Sequence, residues 1–372
     1  MTEGQPVQQA QASAPATPPI VPSHNPKGPF EATVVFNKPL RQKFYRLGLQ
    51  FAGPGAEAFA KTRPGQFAQF DLSNIALPAA EAIPDQLQDA AARQILLRRP
   101  FSFARVAKEA IPSTHPAPGH PAHPRPVSSG VGPSTHIGAG KIIAEVVYCV
   151  LGPATLRMTT LVRGNSINII GPLGKGFTVP QGKKRALLVA GGMGSPPLEH
   201  LAQVLTAEHP TMDAIAFAGA KTKEDLPFEK PLDNLSREIG FWLKEFGRYS
   251  ISSFVATDDG SAGFKGFVST CILDWLSQNA LSFNPAEAII YACGPRSMLA
   301  SIAKFARDKK IDCQVSMEEM MACGIGLCQS CAVKCVAPAG GGIPAGGKTA
   351  AGETYKLCCK DGPVFDAKEI VF

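Results

Sequence analysis

With 372 residues, 45% of them hydrophobic and 18% charged, the chain has the makeup of an ordinary globular protein with room for two or three cores. Its formal charge of +7, from 37 basic and 30 acidic residues, is mild, and no run of Lys and Arg interleaves with aromatics, which argues against a nucleic-acid binder. No charge-free apolar stretch of about 18 residues occurs, so no membrane span is expected.

The N-terminus, MTEGQPVQQAQASAPATPP, lacks the basic start and apolar core of a secretory signal and the arginines of a transit peptide. A cytoplasmic location is therefore expected. Its Gln, Ala and Pro content cannot bury enough surface to fold, so residues 1–28 are expected to form a disordered tail. Ten cysteines in a reducing compartment suit metal ligands, redox groups or buried fillers better than disulfides. Cys149, Cys271, Cys293 and Cys313 are scattered, whereas six fall between Cys323 and Cys359.

After the tail, ATVVFNKPL, KFYRLGLQF and GQFAQFDL read as short strands, punctuated by Gly53, Pro54, Gly55, Pro64 and Gly65. EAIPDQLQDAAARQ reads as a surface excursion with a helical turn, and LLRRPFSFARV as another strand. Residues 111–140 are rich in Pro, Gly, Ser and His without apolar period. A His-rich metal tract is one reading; a flexible insertion whose prolines prevent packing is the preferred one. Strands resume at KIIAEVVYCVL and NSINIIGPL, so residues 29–180 are expected to form a small antiparallel β-barrel with one long insertion.

The texture changes near Arg185. ALLVAGG is a continuous apolar run of the kind buried in a parallel sheet. Helical and strand-like segments then alternate: PPLEHLAQVLTAEH, DAIAFAGA, ISSFVATDDG, STCILDWLSQNA, AEAIIYACGP and SMLASIAKFARDKK. This predicts a parallel α/β domain over 181–310. Residues 311–372 are Cys- and Gly-rich and too short for a core without a staple.

Three motifs carry chemistry. In MACGIGLCQSCAVKC, Cys323, Cys328 and Cys331 stand at the C-x4-C-x2-C spacing of plant-type [2Fe–2S] ferredoxins. Gly324 and Gly326 let the loop wrap closely and turn amides toward sulfur. The fourth thiolate must come from Cys335, Cys358 or Cys359. Zinc is the competing metal, but its sites usually show two close cysteine pairs. In RRPFSFARV, Arg98, Arg99, Pro100 and Ser102 offer a base, a fixed turn and a hydroxyl at a strand end, which suits a flavin; a plain basic strand end explains the segment as well. In AGGMGSPPLEHL, Gly191, Gly192 and Gly194 lie between a buried strand and a helix, where a parallel sheet meets a pyrophosphate, although G-x-G-x-x-G is absent. YACGPRSML places Cys293 at the same sheet edge, able to face a nicotinamide, and Thr257, Asp258 and Asp259 end a third strand near a ribose position or form a solvated turn.

In this order the pieces resemble the ferredoxin-reductase superfamily. They are most similar, over about residues 30–372, to the electron-transfer subunits of NAD-linked, two-subunit dihydroorotate dehydrogenases. The resemblance rests on RRPFSF, IIGPLGKGF, AGGMGSPPL, ATDDGSAGFKGFV, YACGPRSML, SMEEMMACGIGLCQSC and YKLCCKDGPVF. It implies three units: an FAD-binding barrel (29–180), an NAD-binding domain (181–310) and a [2Fe–2S] domain (311–372). FAD contacts are implied at Arg99, Pro100, Phe101, Ser102, Val147, Tyr148, Cys149, Ala154 and Thr155, where Ala154 stands in place of the family's Gly. NAD, an exchangeable acceptor, is implied at Gly191, Gly192, Gly194, Cys293, Gly294 and Pro295. DGPVF selects Cys359 as the fourth ligand beside Cys323, Cys328 and Cys331, leaving Cys335 and Cys358 as bystanders. The implied partner is an FMN-containing catalytic subunit in a heterotetramer with two of each chain, and the chain alone is not expected to oxidise dihydroorotate. The His/Pro insertion and a Gly-rich loop before Cys358 are elaborations on that pattern. The alternatives are a reductase subunit of a ferredoxin–NAD(P) oxidoreductase or sulfhydrogenase, and a colourless zinc-stapled interaction module.

Overall fold

The computed structural model describes residues 28–108, 140–229, 243–281, 283–337 and 352–372. The expected tail except Gly28, nearly all of the insertion at 111–140 and most of the Gly-rich stretch before Cys358 lie outside them.

Six antiparallel strands close a barrel: β1 (Gly28–Arg41), β2 (Phe44–Phe51), β3 (Phe67–Phe70), β4 (Arg99–Lys108), β5 (Ile142–Cys149) and β6 (Ser166–Leu173), in the order β1-β2-β5-β4-β3-β6. Strand periodicity fills it, because alternate residues such as Leu47, Leu49 and Phe51 on β2 and Ala144, Val146 and Tyr148 on β5 share one core. Gly53, Pro54 and Gly55, read from sequence as turn punctuation, instead open a helix, Gly53–Phe59. Gly53 takes the left-handed region at φ +51°, and Pro54 sits in the first turn, where its missing N–H costs no hydrogen bond. The helix delivers Phe59 onto Phe51, with ring centroids 3.8 Å apart.

The second layer is a parallel sheet of β7 (Arg185–Gly191), β8 (Asp213–Ala220), β9 (Ser252–Thr257), β10 (Phe264–Lys265), β11 (Ala288–Cys293) and β12 (Asp312–Ser316). Six of the seven residues of β7 are buried, because helices cover both faces. Ala186, Leu188 and Ala190 pack under the helix Ser195–Glu208. Leu187 and Val189 meet the helices Val268–Gln278 and Arg296–Lys309 on the other side.

β12 extends this sheet beyond the division expected at residue 310. Past it, β13 (Ala332–Val336) and β14 (Glu353–Leu357) form an antiparallel ribbon, and β15 (Val364–Asp366) returns to pair antiparallel with β12. Cys331, Val333, Cys335, Cys358, Cys359 and Phe365 join the core that backs β7 and β11. The C-terminal segment thus borrows its core from the α/β layer, which is how so short a piece packs at all.

Barrel and sheet meet through buried charge. Arg46 on β2 donates to both oxygens of Glu199 at 2.8 and 2.9 Å and to Glu145 at 3.0 Å, with Glu245 at 3.7 Å. Burial pushes Glu199 up to about 7 against the pull of Arg46. Nearer the rim, Lys38 meets Glu229 at 2.8 Å and Lys43 meets Asp225 at 2.6 Å. Among the described residues no helix is long and apolar enough to cross a membrane.

Candidate functional site

Two hollows lie along this junction. A cavity of about 690 Å³ opens at the carboxyl ends of β7, β8, β9 and β11. Strand order reverses there, with β8 and β11 flanking β7, the place where open α/β sheets take ligands. Its walls include Gly191, Gly192, Gly219, Lys221, Asp258 and Pro295. The β7 and β11 loops interlock through glycines. A Cβ on Gly194 would fall 2.0 Å from the Cys293 carbonyl oxygen, and one on Gly294 would fall 2.9 Å from the Gly191 Cα. Gly194 and Gly294 therefore serve close packing, while Gly191 and Gly192 face the cavity. Pro196 and Pro197 carry no N–H, so the first turn of the helix Ser195–Glu208 offers few amides to an anion. Thr257 is fully buried and exchanges hydrogen bonds with Ala262, donating to its carbonyl at 2.8 Å and accepting from its amide at 2.9 Å, so it shapes a turn. Asp259 is occupied by Ser261, and Asp258 alone of that trio reaches the cavity wall.

The second hollow, about 280 Å³, is walled by three parts of the chain at once. The barrel gives Pro100, Phe101 and Ser102 from β4 and Val147, Tyr148 and Cys149 from β5. The α/β layer gives Met193, Pro196 and Cys293. The C-terminal part gives Met317, Glu319, Met321 and Pro363. Tyr148 is stacked on Tyr45 at 5.3 Å and donates to Asn37 Oδ1 at 3.1 Å, fixing its ring. Burial pushes the Cys293 thiol up to about 12, so at neutral pH it is a neutral wall residue. Thr155 also lines this hollow, but its hydroxyl accepts the Leu151 amide at 3.0 Å. Ala154 is buried in the barrel core. Arg98 is committed to Asp71 and Asn168, whereas Arg99 donates to the carbonyls of Leu97 and Arg98 and meets no carboxylate among the described residues. The dipeptide therefore divides its labour, with Arg99 keeping an unneutralised charge.

DGPVF seals this hollow from one side. The Lys175 amide donates to Gly362 O at 2.5 Å and the Met317 amide to Pro363 O at 2.8 Å. A side chain on Gly174 would strike Pro363, so the IIGPLGKGF and DGPVF segments pack closely together.

Beyond Met321 the chain turns into the cysteine loop. The amides of Ile325, Leu327 and Cys328 all point at Cys323 Sγ, from 3.3 to 3.5 Å. Gly324 and Gly326 take φ of +71° and +89°, which permits that convergence. Cys328 Sγ lies 3.2 Å from the Ser330 hydroxyl, a contact that draws its thiol down to about 6. The Cys359 amide donates to Cys331 Sγ at 3.4 Å, and the Cys359 thiol meets that of Cys331 and the Gly326 amide. Burial pushes Cys359 up to about 12, so binding there needs a cation to displace the proton. Cys358 instead donates to Met317 O at 3.4 Å, and Cys335 turns to Val333 O. Among the described residues no trio of His, Cys, Asp or Glu converges as for a single ion; a [2Fe–2S] cluster spreads four thiolates over two irons. Four thiols on one loop and its neighbouring turn, with amides already aimed at sulfur, fit such a cluster.

Gln69 was not singled out in the sequence. It is fully buried on β3, and neither its Oε1 nor its Nε2 has a hydrogen-bond partner. Such groups cost on the order of 1–3 kcal/mol each. Gly219, Lys221, Phe267 and Met298 in the larger cavity were also missed. The strand end AFAGAKT was the available signal for the first two.

A closed six-stranded barrel joined to a parallel sheet, with a hollow between them and a cavity at the switch point, defines an oxidoreductase of the ferredoxin-reductase type. Residues 188–304 match the family model described as "Oxidoreductase NAD-binding domain". A solved NADH-dependent reduced ferredoxin–NADP oxidoreductase shares the fold, with a TM-score of 0.57 at 20% identity over 91% of this chain and 89% of that one. The chain is 35% identical to the dihydroorotate dehydrogenase B (NAD(+)) electron transfer subunit of Geobacillus thermodenitrificans, covering 91% of this chain and 97% of that one. It is 31% identical to that of Geobacillus sp. strain WCH70, covering 92% and 98%. The chain belongs to this family of electron transfer subunits.

Proposed function

We propose that the chain passes electrons from a dihydroorotate-oxidising partner subunit to NAD⁺, holding FAD in the smaller hollow and a [2Fe–2S] cluster at Cys323, Cys328, Cys331 and Cys359. The observation that carries the reading is the threefold wall of the smaller hollow: flavin strand β4, the β11 end that borders the dinucleotide cavity, and the segment running straight into Cys323. Contiguity matters because each electron step weakens with distance. The cluster supplies one-electron transfer and FAD supplies the exchange of electron pairs, as hydride, with NAD⁺.

The chain's own residues hold and orient these groups. Pro100, Phe101, Ser102, Val147, Tyr148 and Cys149 border the flavin; Arg99, next to this lining though not part of it and without a carboxylate partner among the described residues, is the cation proposed for its phosphates. Gly191, Gly192 and Pro295 admit the dinucleotide. Ala154, Thr155, Gly194 and Gly294 support the backbone around them. The Cys359 thiol faces that of Cys331 while Cys358 is turned to a carbonyl, which favours Cys359 as fourth ligand. Met320 and Leu327, 85% and 77% exposed, leave an apolar rim on the cysteine loop for the partner. An FMN-bearing catalytic subunit, assembled two with two, is the partner in this reading. A cytoplasmic site belongs to it too, since a reducing compartment keeps thiols free for iron.

The test is purification, visible spectroscopy and an iron count. FAD absorption, two irons per chain and copurification with an FMN-containing dihydroorotate dehydrogenase subunit are expected. A colourless zinc protein, or a coloured one that reduces ferredoxin and ignores that subunit, would overturn it.

A further inference from the structure

We propose that the Gln69 carboxamide donates a hydrogen bond to the sulfur of the [2Fe–2S] cluster and so sets its reduction potential; this rests on the cluster reading above. β3 runs between the flavin strand and the cysteine loop: Phe67 opposes Ser102 and Gln69 opposes Pro100 across the ladder to β4. Side chains alternate along β3. Ala68 and Phe70 enter the barrel core, so Phe67 and Gln69 share the outer face. Phe67 lines the flavin hollow, and Gln69, one step along, does not. It lies instead against the cysteine loop. A Cβ on Gly324, the residue after Cys323, would fall 2.4 Å from Gln69 Nε2 and 2.6 Å from its Cγ.

The chain buries a carboxamide here with both polar atoms unsatisfied. Buried polar atoms without partners call for an explanation, and an absent ion or cofactor is among those that supply one. The facing surface is the turn that begins at Cys323, whose sulfur already collects three backbone amides. Gln69 Nε2, against Gly324 next to Cys323, would add a side-chain donor to these three amides. Hydrogen bonds to cluster sulfur favour the reduced, more negative state and raise its potential. Gln69 is thus a positioning and tuning residue at the junction of cluster and flavin.

The test compares the full chain with Gln69→Met, which keeps length without a donor, and Gln69→Leu. Iron and flavin content and the EPR-monitored midpoints of cluster and FAD are measured for each. The variants are expected to keep two irons and FAD while the reduced cluster loses about tenfold in relative stability, a shift of about 59 mV to more negative potential for one electron. The FAD midpoint is expected to stay put. An unchanged cluster midpoint, a shift in the FAD midpoint alone, or loss of iron from both variants would overturn the inference. An unaltered chain without a [2Fe–2S] signal would instead overturn the cluster reading on which it rests.

Discussion

Arg46 reaches from barrel strand β2 to Glu199 on the first helix of the α/β layer, its two terminal nitrogens meeting the two carboxylate oxygens at 2.9 and 2.8 Å. The pair is buried, with Glu145 and Glu245 beside it, so one guanidinium serves three carboxylates from both layers. Removing one partner of a buried pair strands the others' charge and costs about 3–5 kcal/mol. Arg46→Met is expected to lose stability on that scale in urea unfolding. Without the cation the Glu199 carboxyl, already raised by burial, rises further, so its contribution is lost as pH rises through that raised value. The variant is therefore expected to be less stable at pH 8 than at pH 6. Equal loss at both would show that Arg46 acts by packing alone.

The rim pairs respond to acid in the opposite sense. Lys244 and Lys38 hold Glu229 at about 2, below its ordinary 4.5, and Lys43 lowers Asp225 in the same direction. A lowered carboxyl stabilises the fold above its unfolded value and loses that contribution as pH falls. The melting temperature is expected to drop as pH falls from about 4.5 toward 2. Lys38→Ala is expected to flatten part of that drop. An identical acid profile for the variant would refute the assignment.

Much of this was legible in the sequence, and the reasons are local. The run ALLVAGG reads as a strand covered on both faces, and C-x4-C-x2-C with two glycines reads as a sulfur-directed loop from spacing alone. What was missed depends on distant contacts. Gly53 and Pro54 look like a turn unless Phe59 has a barrel to enter. β12 and β15 are too short to announce themselves, and only their pairing moves the C-terminal segment into the α/β sheet. For Thr257 a ribose position and a turn were equally legible, and its hydroxyl closes a turn with Ala262. Gln69 fits strand alternation without comment, and it becomes conspicuous only when the cysteine loop covers it.

The two adjacent cysteines separate the ligand assignment from mere proximity. Cys358→Ser is expected to keep the cluster, because that thiol faces the Met317 carbonyl. Cys359→Ser is expected to lose most of the iron. Iron counting on both purified variants checks this, and retention of two irons in Cys359→Ser would reverse the choice.

The central claim, that one chain links a dinucleotide site to an iron–sulfur site through a flavin, is tested most directly by anaerobic titration of the purified protein with NADH, followed by visible absorption and EPR. If the three groups are linked, electrons can enter from the dinucleotide end, so NADH is expected to bleach the flavin and to bring up the signal of one reduced [2Fe–2S] centre per chain. A protein that contains flavin and iron, whose cluster is reduced by dithionite but stays silent under excess NADH, would contradict the relay.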